Sequence, residues 1–273
     1  MIKNIVKTVT IGALFVGSVA FAQESGATSD TSIETQSAQS VISEGQMVDM
    51  AGKQRMLSQR MAKDYFYAGK KINKSNANRQ LKTTLADFKS TQKLLTDNIK
   101  DEEITNLIAF VDMSLDEFIS ISKEDYSVDN GTIILDLSES MLEGSNYIVQ
   151  ALAKGKSSNE IIDMAGKQRM LSQRIGKYYI AYQAGIRDDN TVTQMKETVK
   201  EFDTALNKLI NSEGNTPQIQ KELLRVNKMW KIVYKFYLNI EKGGLPIIVF
   251  STTDDITSKM NKIVAMYVKV LEK

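Results

Sequence analysis

The chain has 273 residues, 42% hydrophobic and 25% charged, the composition of a folded protein and not of a disordered one. It contains neither Cys nor His. That excludes disulfide frameworks, a lipid-anchored thiol, iron-sulfur clusters, covalent haem, the usual zinc sites, Glu-x-x-His di-iron bundles and His-dependent triads. A formal charge of only +2 leaves no cationic surplus for nucleic acid.

The first residues carry Lys3 and Lys7, an apolar run from Ile11 to Ala20 and a small-residue site at Ala20-Phe21-Ala22. This pattern predicts a secretory signal peptide over 1–22, cleaved after Ala22, and so a periplasmic or secreted protein. The run is too short to span a bilayer comfortably, and no later stretch is long and apolar enough to try. Without Lys3 and Lys7 the mature chain holds 33 cations and 33 acids. Residues 23–40 are mostly Ser, Thr, Gln, Glu, Ala and Gly and read as a flexible linker.

Helix-period apolar spacing begins near Val41 and runs to about Ala68, where Gly69 and Lys70-Lys71 mark an end. A second helix is predicted from Ser75 to about Asn98. A third starts behind Asp101-Glu102-Glu103, acids that suit a helix N-terminus. Asn130-Gly131 predicts a break before a fourth helix over 132–154. The pattern restarts after Gly155-Lys156-Ser157-Ser158, and Thr216-Pro217 supplies a cap and a first-turn Pro for the third helix of the second set. Gly243-Gly244-Leu245-Pro246 predicts its end. The last helix is expected after Ser251-Thr252-Thr253-Asp254, with the apolar segment Ile247 to Phe250 in a loop position, where it could plug the end of a bundle.

A repeat organises this series. The residues Asp49 to Arg60, Asp-Met-Ala-Gly-Lys-Gln-Arg-Met-Leu-Ser-Gln-Arg, return unbroken from Asp163 to Arg174. The same offset carries Leu81 to Phe88 onto Met195 to Phe202, so the repeated unit is larger than one helix. The fold class is therefore all-α, two tandem up-down-up-down four-helix bundles, over 41–154 and 155–273. Four antiparallel passes bring the chain back to its starting end, so the second motif helix should run parallel to the first and lie beside it.

At about 100° per residue, Met50, Gln54, Leu57 and Met61 form one stripe of the motif helix. Arg55 lies on a flank of Gly52, Ala51, Ser58, Gln59 and Ala62, small residues that allow close approach of another helix. Lys53 and Arg60 fall on the remaining side, a solvated or salt-bridged face. Arg169 sits in the same way amid Ala165, Gly166, Ser172, Gln173 and Gly176. If these flanks meet, two guanidiniums converge, and on this reading no acid in either motif is at hand to neutralise them. Planar guanidiniums match planar oxyanions through paired hydrogen bonds, which suits a small anion. The alternative is that each Arg pairs with a carboxylate from a neighbouring helix. Tyr65, Phe66, Tyr67, Tyr178, Tyr179 and Tyr182 read as core or bundle-end packing, and Met56 and Met170 as adaptable core residues.

The string from Ala51 to Lys63 resembles the first-helix signature of the PilJ-type domain, the N-terminal sensory domain of type IV pilus methyl-accepting chemotaxis transducers. It is also similar to the Gly-x-x-Arg-Met-x-Ser-x-Arg P-box of nitrate/nitrite sensor kinases. Ala165 to Lys177 carries the resemblance again. It implies a periplasmic four-helix bundle that holds a nitrate-like anion between paired first helices. Gly52 and Arg55 in one copy, and Gly166 and Arg169 in the other, would hold the ion. Ser58, Arg60, Ser172 and Arg174 match further motif positions, with the role of Arg60 and Arg174 left open. The family's sensors carry flanking transmembrane helices and a cytoplasmic output module, and neither is read here. The expectation is a non-enzymatic, cofactor-free binding protein, not membrane-spanning after cleavage, that meets a small anionic ligand and relays to a membrane-bound sensor or chemoreceptor. A ligand-free helical adaptor is the alternative, and the sequence leaves the oligomeric state open.

Overall fold

The computed structural model describes residues 42–154 and 157–271. The expected signal peptide, the linker and the Gly155-Lys156 turn lie outside them. The described residues contain eight α-helices and no strand. The first four are Glu44–Gly69 (α1), Lys74–Asn98 (α2), Glu102–Ser122 (α3) and Val128–Ala153 (α4). Their counterparts are Ser157–Gln183 (α5), Asp189–Ile210 (α6), Pro217–Tyr237 (α7) and Pro246–Leu271 (α8), with a short 3₁₀ turn at Ile240–Lys242.

Local chemistry explains most helix starts. Ser43 and Gln46 form a reciprocal capping box on α1, while the side chains of Asp101, Ser127, Asp188 and Thr216 accept from the backbone N–H three residues on. Two boundaries differ from the sequence reading. Asn130-Gly131 does not break the chain, because Ser127 caps a helix that starts at Val128 and the pair falls in its first turn. Gly131 is there for closeness: a Cβ would come within 2.9 Å of the Phe66 ring. The last helix starts at Pro246, not after Asp254, so Ile247 to Phe250 is its first turn and not a loop. Val249 and Phe250 turn inward while Ile247 and Ile248 stay exposed, and Phe250 stacks edge-on against Tyr67 at the end of α1.

The helices form two four-helix sets, α1 to α4 and α5 to α8, joined through their motif helices. The α1–α5 interface is the most extensive in the molecule. Around it, α1 packs on α2 and α4, α5 packs on α6 and α8, and α3 and α7 lie outside against α4 and α8. The two sets form one compact unit instead of separating into two. Asp49 meets Arg169 near the start of both motif helices, and Lys63 meets Gly176 further along both. The helices therefore run parallel and side by side, as the even number of passes requires.

Candidate functional site

The small-residue flanks do face each other. Ala51, Gly52, Ser58, Gln59 and Ala62 are buried in α1, as are Ala165, Gly166, Ser172 and Gln173 in α5. A Cβ added to Gly52 would lie 3.3 Å from Arg169 Nη2 and 3.4 Å from Arg55 Nη2, and one added to Gly166 would lie 3.1 Å from Arg169 Nη2. Both guanidiniums thus converge on one spot that only Gly leaves open. The side chains of Arg55 and Arg169 are 1% and 4% exposed. Burial lowers the Arg55 pKa, Asp163 offsets part of that, and the like charge of Arg169 lowers it further.

The expectation that these cations lack a counter-charge is not met. Arg55 Nη2 donates to Asp163 in a short ion pair, and Arg169 Nη1 lies 2.7 Å from Asp49 Oδ1. The acids are the first residues of the two repeats, and each serves the Arg of the other copy. Asn residues of the fourth helices complete the cradle: Arg55 Nη1 donates to Asn146 Oδ1 at 3.1 Å and Arg169 Nη1 to Asn261 Oδ1 at 3.3 Å. Arg169 Nη2 also donates to the Asp49 carbonyl, 3.3 Å away. The Asp49 and Asp163 side chains are 33% and 30% exposed. Water can take an Asp carboxylate, but it cannot reach the Arg.

Ser58 and Ser172 bond back to the carbonyls of Arg55 and Arg169, and Ser172 Oγ also meets Thr257 Oγ1. Gln59 donates to the Ser138 carbonyl, and Gln173 to the Thr253 carbonyl, Thr257 and Asp254. Through Gln59 on one side and Ser172 with Gln173 on the other, each first helix is fastened to its own fourth helix.

The second Arg of each motif reaches the other unit. Arg174 makes a two-pronged contact with Glu139 of α4, at 2.7 and 3.3 Å, and Lys177 pairs with the same carboxylate. Burial alone would raise Glu139, but Lys177 and Arg174 hold it down at about 2, while burial brings the Lys177 ammonium down to about 8. In the first copy Lys63 pairs with Asp254 of α8 at 2.5 Å, and Arg60 stands 3.8 Å from the same carboxylate. Asp64 is fully buried 3.7 Å from Lys63, too far for a hydrogen bond, and burial pushes its pKa well up. Lys63, Lys177, Asp49, Asp163, Asn146 and Asn261 all belong to the site, and the sequence alone gives none of them a role there.

Among the described residues no helix is long and apolar enough to cross a membrane. Parallel motif helices with paired buried cations define an all-helical bundle built around one shared charged centre. The family model for the type IV pili methyl-accepting chemotaxis transducer N-terminal domain, PilJ, matches residues 38–103 and 151–240. These segments hold α1 and α2, and α5, α6 and α7, and together cover more than half of the chain, which belongs to the PilJ family. PilJ is a family of sensory transducer domains, not a catalytic one. No match was found among curated proteins or among solved structures.

Proposed function

We propose that the protein is an exported sensory protein that recognises a small oxyanion, of the nitrate or nitrite kind, between its two motif helices. Arg55 and Arg169 are the binding groups, with Gly52 and Gly166 providing the room. Binding works by exchange. A buried guanidinium needs a negative partner at all times, because desolvating an unpaired charge is prohibitive. In the closed state that partner is the Asp of the other repeat, and an incoming planar anion takes its place while Asp49 or Asp163 swings into water. Exchange loosens the crossed links between α1 and α5, and a membrane-bound partner reads the change. Ser58, Ser172 and Arg174 hold the motif helices in position. What carries this reading is the convergence of two buried guanidiniums on a single glycine-lined spot, where the only opposing charges are carboxylates about a third exposed to water.

The second reading, a ligand-free adaptor, draws on the same crossed pairs taken as permanent clasps. A thermal titration separates the two. Nitrate or nitrite should raise the melting temperature more than chloride at equal ionic strength, and Arg55→Gln with Arg169→Gln should abolish the difference. Identical melting in all three salts would favour the adaptor.

A further inference from the structure

The Arg60 side of the molecule holds a cavity of about 340 Å³ where α1, α2 and α8 meet. Its walls are Arg60, Asn76, Arg79, Gln80, Thr83, Phe250 and Asp254. The charges there do not balance. Asp254 is the single acid of the wall, and its two oxygens are already engaged: Lys63 and Gln173 bond to Oδ1, and Gln80 donates to Oδ2 at 3.0 Å. Lys63 is completely buried and relies on that carboxylate. Arg60 is left at 3.8 Å, makes no hydrogen bond among the described residues, and has its Nε buried without a partner. Arg79 donates only to the neutral amide of Asn76. Asp64, 3.7 Å from Lys63, is fully buried, and that burial favours its neutral form although the charges of Lys63 and Arg60 pull the other way.

The equivalent place in the second repeat shows that this is not forced by the motif. There Arg174 is saturated by Glu139, Gln194 and Tyr178, and the neighbouring cavity is walled by Glu139, Glu143 and Glu201 against Lys167 and Arg174. Thr193 occupies the repeat position of Arg79. One copy has closed the position with acid, and the other presents two guanidiniums to an open cavity that Phe250 also lines.

We infer that the cavity lined by Arg60 and Arg79 is a binding site for a small organic carboxylate, held by the two guanidiniums with Thr83 beside them and its carbon body against Phe250. A cavity of this size is far larger than a bare inorganic ion needs, and the Phe250 ring offers nothing to one. The site joins α1 and α2 of the first repeat to α8 of the second, so an occupant ties the two repeats together away from the Arg55–Arg169 centre.

The test is calorimetric titration of the full chain with succinate, acetate, inorganic phosphate, nitrate and chloride at constant ionic strength. Succinate or acetate should bind at least tenfold tighter than chloride, and Arg79→Gln should weaken that binding about tenfold, the loss of a charge-assisted contact. Arg79 is exposed, so the variant keeps its fold, and circular dichroism checks this. Arg79→Gln should leave any nitrate response at the motif centre unchanged, which separates this site from the other. Carboxylates no better than chloride, phosphate binding without carboxylate binding, or carboxylate binding indifferent to Arg79→Gln would each overturn the assignment.

Discussion

The two motif helices carry the same residues in the same order, yet their surroundings have diverged along the core-facing stripe and around Arg60 and Arg174, and not on the flank that carries Arg55 and Arg169. Gln54 faces its own unit and bonds to the Phe88 carbonyl and to Gln92 Oε1 at 2.7 Å. Its copy Gln168 is completely buried and neither amide atom finds a partner, because Leu206 stands where Gln92 would be. On the flank that faces the other repeat, the partners remain. Arg55 and Arg169 each keep an Asp and an Asn, and Gln59 and Gln173 each keep the fourth helix. The motif's polar residues therefore keep their partners on the flank of the Arg55–Arg169 centre, while the stripe facing each unit's own core has been free to change.

The largest effect should come from the crossed cation pairs. Glu139→Gln leaves the buried Lys177 and the Arg174 fork without their anion and should cost about 3 kcal/mol in denaturant unfolding. The pH dependence follows from the depressed carboxyl. Stability from Glu139 is full above its ordinary value of 4.5 and is lost as pH falls toward about 2. The variant should lack that part of the acid loss, and wild type and variant should converge at the acid end.

A smaller and more discriminating effect should come from the stripe that has diverged. Gln54→Leu breaks bonds to Gln92 and Phe88 and should destabilise by roughly 1–2 kcal/mol. Gln168→Leu removes a buried amide with nothing to bond and should stabilise by about 1 kcal/mol. Opposite signs from one substitution in identical segments would sharpen the comparison, and equal losses in the two urea curves would break it.

The helices, the duplication and the parallel contact of the motif helices could be read from spacing, because amphipathic periodicity and an even number of passes leave little choice. Two boundaries could not. At Asn130-Gly131 the turn signal was outweighed by the Ser127 cap and by packing against Phe66, and at Pro246 the first-turn preference of Pro outweighed the Ser-Thr-Thr-Asp signal that follows. Arg55 and Arg169 were visible as buried cations among small residues. Their acids were in plain view within the repeat but misjudged, since Asp49 and Arg55, six positions apart, face different ways on one helix and cannot pair there. Only the juxtaposition of two copies brings Asp49 to Arg169 and Asp163 to Arg55. Asn146, Asn261, Glu139 and Asp254 come from other helices, where no local pattern points to them.

The exchange of an internal carboxylate for an external anion is tested most directly by removing the carboxylates. Asp49→Asn with Asp163→Asn should lower the melting temperature in buffer of low salt, because two buried guanidiniums lose their counter-charge. Nitrate or nitrite should then restore it, by more than chloride does at equal ionic strength and by more than nitrate raises the wild type. A double variant that melts alike in nitrate, nitrite and chloride would contradict the account and leave the crossed pairs as clasps alone.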